Sequence, residues 1–427
     1  MTVLLLGSML ILMFTGIQIA FAILASSTLF LLVTDMQPLF IIPQKLINGL
    51  DSFPLIAVPL FIVAGDLMDK GGISKRLVNW CECLVGSFAG GLGGVAIVAS
   101  AVFAALTGSG PATVAAIGAI MVPSMVERGY KDYEATGLVT ASGALGPIIP
   151  PSIPMILYGS TMSVSIPRMF SGALIPGIFI TILLLTTNNI RSKRIPRINS
   201  IPRIPFSWKA LGKSTINAIW ALIMPIIVLG GIYSGIFTPT EAAAIACVYG
   251  LIIGLFVYRE VKITELPKYM ANAMKASSIG VFITGAANLM GFIFTNSKIT
   301  DAITNAIVSN ITSQSVYLIT LMLFLFVVGS LMDTFATILI IAPLAVPAGI
   351  ALGIDPLFLG VLFVINLVVG FITPPFGCNL FIATAITGVK YEQVVKGVLP
   401  YMITEIVAVM IIAFCPWMIT WLPSVLF

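Results

Sequence analysis

Gly146-Pro147-Ile148-Ile149-Pro150-Pro151-Ser152 and, 224 positions later, Gly370-Phe371-Ile372-Thr373-Pro374-Pro375-Phe376 interrupt two long apolar stretches at the same point. Gly146 falls on Gly370, Ile148 on Ile372, and the Pro150-Pro151 pair on Pro374-Pro375. The register holds upstream without a gap: Ala112-Thr113 falls on Ala336-Thr337, Pro123 on Pro347 and Gly129 on Gly353. A double proline lacks two backbone donors and drives the preceding residue out of helical geometry, so a helix opens there. Inside a bilayer, open backbone persists only where protein or a water-lined cavity satisfies it. Interrupted apolar segments at matching positions of two halves point to the binding site of a transporter.

Composition sets the class. Of 427 residues, 59% are hydrophobic and 9% charged, whereas soluble domains average about 25% charged. Apolar runs of membrane-spanning length recur, the clearest at 4–32, 216–236, 242–258, 316–332 and 360–372. Roughly ten to twelve spans of an all-α polytopic membrane protein are expected. Met1-Thr2-Val3 carries no Lys or Arg, and the run after it exceeds a signal-peptide core, so a retained first span is expected.

The absence of histidine removes the commonest metal ligand and general base. A coupling ion must then be held by carboxylates, hydroxyls and carbonyls, which suit sodium or, through a carboxylate, a proton. Cys81, Cys83, Cys247, Cys378 and Cys415 show neither a disulfide framework nor metal-site spacing. A net charge of +5 gives no support for nucleic-acid binding. An intramembrane enzyme would need a carboxylate pair, and Asp333 has no such partner at its aligned position, Ser109.

Residues 191–213 hold Arg191, Lys193, Arg194, Arg197, Arg203, Lys209 and Lys213 without an acid. Pro196, Pro202 and Pro205 predict a non-helical linker, and the positive-inside rule places it in the cytoplasm. It divides the chain into a first half, 1–190, and a second half, 214–427. Glu127-Arg128-Gly129-Tyr130-Lys131 carries two bases, while the aligned Ala351-Leu352-Gly353-Ile354-Asp355 carries none. The aligned loops are therefore expected on opposite faces, as in inverted repeats. Residues 37–50 and 264–276 read as amphipathic interfacial segments, with Lys45 and Lys268 reaching for headgroups.

Three places carry candidate chemistry. In Thr107-Gly108-Ser109-Gly110-Pro111-Ala112-Thr113 one helix ends and another begins. Its carbonyls, with Ser109 and Thr113, can face a cation, or its hydroxyls can simply cap a helix. Asp333, aligned with Ser109, is the one charge between Ser309 and Asp355. An intramembrane carboxylate costs about 2.5–3.5 kcal/mol and marks a functional site; capping of the helix from Thr334 is the alternative. Ser152 and Thr373 are placed to cap half-helices, whose N-termini suit an anionic group. Asn366 and Asn379 add amides near the second break. Tyr158, Ser160, Thr161, Ser163 and Ser165 form a polar run read as part pocket, part wet loop.

Gly108-Ser109-Gly110-Pro111-Ala112-Thr113, the Pro150-Pro151-Ser152 break, Ser171-Gly172-Ala173-Leu174-Ile175-Pro176-Gly177 and Gly370-Phe371-Ile372-Thr373-Pro374-Pro375 resemble the large membrane subunit of TRAP (tripartite ATP-independent periplasmic) transporters. Gly353-Ile354-Asp355-Pro356 and Gly377-Cys378-Asn379-Leu380 extend the resemblance over nearly the whole chain. It implies inverted repeats with broken helices and re-entrant hairpins, an elevator-type movement, and sodium as coupling ion with no other cofactor. It also implies a bacterial inner-membrane location, a small four-helix membrane subunit and a periplasmic substrate-binding protein that delivers an organic acid. The chain begins directly at the large subunit, which implies a separate polypeptide for the small one.

Carried onto this sequence, the resemblance implies substrate contacts at Ser109, Ser152, Asp333, Thr373 and Asn379, and the polar run adds Ser165 as a candidate. Sodium would be held by Gly108, Ser109, Gly110, Thr113, Asp333, Thr334, Thr337, Gly370 and Thr373; Gly110 stands where members often have a second serine. Hydroxyl-rich surroundings without a buried arginine pair suit a polyhydroxylated monoacid, so sialic acid is the expected cargo. The alternatives are a C4-dicarboxylate or a stand-alone sodium-coupled dicarboxylate carrier.

Overall fold

The computed structural model describes residues 2–88, 90–201 and 204–427, so Pro202 and Arg203 of the linker lie outside it. Every regular element among the described residues is helical. Eight of these helices are long and apolar enough to cross a membrane, or nine if the bent pair Ile41–Leu50 and Phe53–Lys70 counts as one span. The ten to twelve expected spans include several that interruptions shorten. Residues 4–32, expected as one run, form two helices, Thr2–Phe14 and Ile19–Thr34, because Gly16 turns the chain at φ +86°.

Two hairpins and two broken helices form the centre. The first hairpin, Gly91–Thr107 and Gly110–Glu127, reverses at Gly108-Ser109, and its arms pack side by side. The second, Gln314–Leu331 and Thr334–Ala351, reverses at Met332-Asp333. Tyr317 Oη at its start donates to Ala345 O near its end (2.7 Å), and Gln314 Nε2 to Leu352 O (2.9 Å). The first broken helix runs as Asp132–Ser142, opens through the double proline and resumes as Ile153–Met162. The second runs as Pro356–Gly370 and resumes as Cys378–Thr387. The hairpin arms and broken halves recur at the 224-residue offset of the sequence.

The two broken helices lie antiparallel. Asn379 Nδ2, just past the second break, donates to Thr140 O, just before the first (3.4 Å). At the other end Tyr158, past the first break, packs on Phe363 with ring centroids 5.6 Å apart. The half-helix beyond each break lies against the other copy's hairpin: Ile153–Met162 on Thr334–Ala351, and Cys378–Thr387 on Gly110–Glu127. Reciprocal pairing of this kind is what an inverted repeat requires. Around this centre Ile41–Leu50 lies along Leu266–Asn296, Ala57–Lys70 along Pro239–Ile252, and Ile73–Val85 along Trp208–Tyr233.

Two local expectations are corrected. Residues 264–276 are not a separate interfacial helix; they begin the continuous helix Leu266–Asn296, since Pro267 sits in the first turn, where a missing donor costs nothing. The basic segment from 191 is helical in part. Helix Ile166–Arg194 runs through Arg191, Lys193 and Arg194, where cations complement the C-terminal dipole. Ile195 turns extended ahead of Pro196, which opens the short helix Pro196–Asn199. Residues 37–50 do give the interfacial-type helix Ile41–Leu50, bent 62° from its successor.

Close backbone contact locks the first broken helix to Tyr391–Phe414: a Cβ on Gly137 would overlap the Gly397 backbone. Small residues allow such approach where apolar burial gives helices no net drive to associate in lipid. Gly137→Val should therefore cost about 1–3 kcal/mol through overpacking, read as a lower thermal midpoint of the detergent-solubilised chain. An unchanged midpoint would show that this contact does not hold the helices.

Candidate functional site

The tip of the first hairpin sits against both breaks. Gly108 adopts φ +62°, a left-handed geometry that glycine tolerates best, and its carbonyl accepts from Ile153 N across the first break (3.3 Å). A Cβ on Gly146 would stand 2.5 Å from Ser109 O, so only glycine lets the broken helix close on the tip. From the other copy, Asn379 Oδ1 and Phe371 Cδ2 approach Gly110 so closely that a Cβ there would lie 3.1 Å from each. Gly143 O lines the same point, 3.3 Å from that Cβ position. Asn379 is fully buried, and its Oδ1 has no hydrogen-bond partner among the described residues.

The hydroxyls satisfy backbone around this tip. Ser109 Oγ accepts from Ala112 N (3.4 Å), and Thr113 Oγ1 donates to Ser109 O (2.8 Å) and lies 3.3 Å from Thr107 Oγ1. Ser152 Oγ accepts from Met155 N (3.3 Å), capping Ile153–Met162 as expected, and donates to Pro147 O. The second hairpin repeats the threonine-to-carbonyl bond of the first, with its cap shifted by one residue. Asp333 Oδ2 accepts from Phe335 N (2.8 Å), and Thr337 Oγ1 donates to Asp333 O (2.9 Å). Thr334 is buried beside it. Asp333 is thus a helix cap, and a carboxylate at a helix N-terminus is favoured by the dipole.

The two breaks differ in exposure. Pro150, Pro151 and Ser152 are buried, whereas Asp333, Pro375, Phe376 and Cys378 are exposed. Gly370, the image of Gly146, packs on the Gly329 backbone rather than on the hairpin tip.

Several predicted residues take other roles. Thr373 does not cap the second half-helix: its hydroxyl donates back to Val369 O (2.7 Å), and Gly377 occupies the cap position. Four residues separate Thr373 from the helix start, too many for a cap. Ser165 is exposed beyond the end of Ile153–Met162, away from the break. Tyr158, expected in part as wet loop, is buried in that helix. Asn366 donates to Met322 O (2.9 Å) and serves helix packing. Gly143, which nothing in its sequence context marks, lines the tip together with Phe371 of the second break. Glu405 is 1% exposed with both oxygens unpartnered among the described residues.

The profile of the family described as "Tripartite ATP-independent periplasmic transporter, DctM component" matches residues 6–418. The chain belongs to this TRAP transporter family. It is 38% identical to the C4-dicarboxylate TRAP transporter large permease protein DctM of Vibrio cholerae, over 97% of this chain and 95% of that one. The 2,3-diketo-L-gulonate TRAP transporter large permease protein YiaN of Escherichia coli is 35% identical, covering 94% of each chain. The sialic acid TRAP transporter permease protein SiaT of Haemophilus influenzae is 33% identical, over 98% of this chain and 67% of that one. In three dimensions the chain is similar to the YdaH transporter of Alcanivorax borkumensis, with a TM-score of 0.65 at 14% identity over 87% of each chain. The two share a fold.

This TRAP large subunit should show unequal cysteine reactivity. A maleimide should modify exposed Cys378 well before buried Cys81 and Cys247, as read by peptide mass spectrometry. Equal protection of Cys378 would contradict the open second break.

Proposed function

We propose that this TRAP subunit imports an organic acid by sodium symport across the bacterial inner membrane. Its partners would be a small four-helix membrane subunit and a periplasmic binding protein that delivers the substrate. Two inverted copies, 1–190 and 214–427, joined by the basic linker at 191–213, would form one site at mid-membrane and move it past the surrounding helices. The observation that carries the reading is the meeting of the first hairpin tip with Phe371 and Asn379 of the second copy. A buried amide oxygen without a partner calls for a donor or a cation. With carbonyls of Gly110 and Gly143 beside it, the set consists of hard oxygen ligands suited to sodium. Gly108, Ser109 and Thr113 would complete that site. Asp333, Thr334 and Thr337 at the second tip, together with Gly370 and Thr373 of the second break, would hold a second cation or face the substrate with Ser152.

The cargo we favour is a polyhydroxylated monocarboxylate such as sialic acid (N-acetylneuraminate). The side chains at the two tips are hydroxyls, an amide and one carboxylate, which suit a hydroxylated solute better than two negative charges. A C4-dicarboxylate is the second reading, favoured by the 38% identical relative named for it. Uptake of N-acetylneuraminate against succinate into vesicles, with and without a sodium gradient and the binding protein, separates these. Sodium-independent uptake, or uptake by this chain alone, would overturn the tripartite symport reading.

Two variants test the ion assignments. Asp333→Asn should abolish sodium-dependent uptake while leaving membrane expression intact; near-normal uptake would leave Asp333 a cap only. Ser109→Ala should raise the sodium concentration for half-maximal uptake, and an unchanged sodium dependence would remove Ser109 from the ion site.

A further inference from the structure

A cleft of about 480 Å3 separates Ile41–Leu50 and Leu266–Asn296 from the end of Ile153–Met162 and helix Thr334–Ala351 of the second hairpin. Pockets of this size hold small organic ligands. Lys45 is the one charged residue in its lining, with Nζ 4.3 Å above the Phe292 ring. Asn48, Ser52, Thr161, Asn288 and Asn296 line the same cleft. Ser52 Oγ and Ser160 Oγ meet at 3.2 Å, bridging the two walls. A smaller cavity of about 120 Å3 adjoins it through Gly49, Leu55 and Thr284 and ends at Phe335, two residues past Asp333.

The position of the cleft in the membrane follows from chain geometry. Thr161 precedes helix Ile166–Arg194, whose 29 residues end in the basic linker. At 1.5 Å per residue that helix is about 43 Å long, so the cleft and the linker lie on opposite faces. The positive-inside rule then puts the cleft on the periplasmic side.

The polarity of the cleft is not dictated by the repeated fold. Thr284, Asn288, Thr295 and Asn296 form one stripe of Leu266–Asn296. At the 224-residue offset the first copy has Leu60, Ala64, Gly71 and Gly72, and Lys45 has Tyr269 as its counterpart. Helix packing alone is served by the apolar set in one copy. In the other copy Thr284, Thr295 and Asn296 donate to carbonyls of their own helix one turn back (2.9, 3.0 and 2.9 Å), which leaves Asn288 and Lys45 to face the cleft.

We propose that this cleft is a periplasmic receiving site for the organic acid, in which Lys45 binds the carboxylate and the amides and hydroxyls contact the rest before the solute reaches the second hairpin tip. It rests on the organic-acid reading above. The test uses the full chain carrying Thr161→Cys, labelled from the periplasmic side with a membrane-impermeant maleimide, and follows modification at position 161 by peptide mass. N-acetylneuraminate or succinate, added without binding protein, should slow that labelling. Lys45→Gln should raise the concentration for half-protection about tenfold, the scale of one lost charge-assisted contact. Lys45→Arg should restore protection, which a purely structural lysine would not require. Unchanged labelling in the absence of acid shows that each variant is folded. If wild-type vesicles take up either acid but neither slows labelling, or if Lys45→Gln protects normally, the receiving site is refuted alone. If the complete system carries neither acid, the organic-acid reading fails and the receiving site with it.

Discussion

An unpaired amide or carbonyl in hydrocarbon costs several kcal/mol, and this chain opens its backbone at four interior points: Gly108-Ser109, Pro150-Pro151, Met332-Asp333 and Pro374-Pro375. The structure brings these openings to one another so that each helps satisfy the next. Gly108 O takes the amide of Ile153 across the first break, and Ser330 O takes the amide of Phe376 across the second. Glycines at 108, 110, 146 and 370 make the approach possible, since each would place a Cβ against a neighbour. The hairpins, the broken helices and their antiparallel pairing are what such mutual satisfaction looks like when the same segment occurs twice.

The two copies are alike in backbone and unlike in chemistry. Both tips hold the same threonine-to-carbonyl bond, Thr113 to Ser109 and Thr337 to Asp333. Only the second carries a carboxylate, and only the first receives an amide from the opposite copy, because Asn379 has Met155 as its image. The first break is buried while the second is exposed beside Asp333 and Cys378. The first tip thus offers an enclosed set of neutral oxygens and the second an accessible carboxylate. The polar stripe of Leu266–Asn296 extends the same inequality outward to one face of the membrane.

Much of this was legible before any coordinates. The gapless offset located all four openings, paired Ser109 with Asp333, and identified Ser152 as a cap from its place after the prolines. The loop charges at 127–131 and 351–355 anticipated the antiparallel arrangement. What sequence could not give was tertiary in origin. Thr373 looks like a cap by spacing, but its hydroxyl is taken by Val369 O, and four residues of open chain follow it. Phe371 reaches the first tip only because the two copies fold onto each other, and Gly143 only because the first broken helix packs back on its own hairpin; nothing local announces either contact. Ser165 belongs to a polar run whose helix carries it away from the break. Residues 264–276 are amphipathic in isolation, yet they continue without a break into one long helix, Leu266–Asn296.

The central claim is that two inverted copies meet at one mid-membrane site. Glu127 and Ala351 are aligned, exposed and at the open ends of the two hairpins. Glu127→Cys and Ala351→Cys, each in a background lacking the native cysteines, can be probed in spheroplasts with an impermeant maleimide. Labelling at 351 from outside, with labelling at 127 only after permeabilisation, is the predicted result. Labelling of both from the same side would contradict the inverted arrangement and with it the shared site.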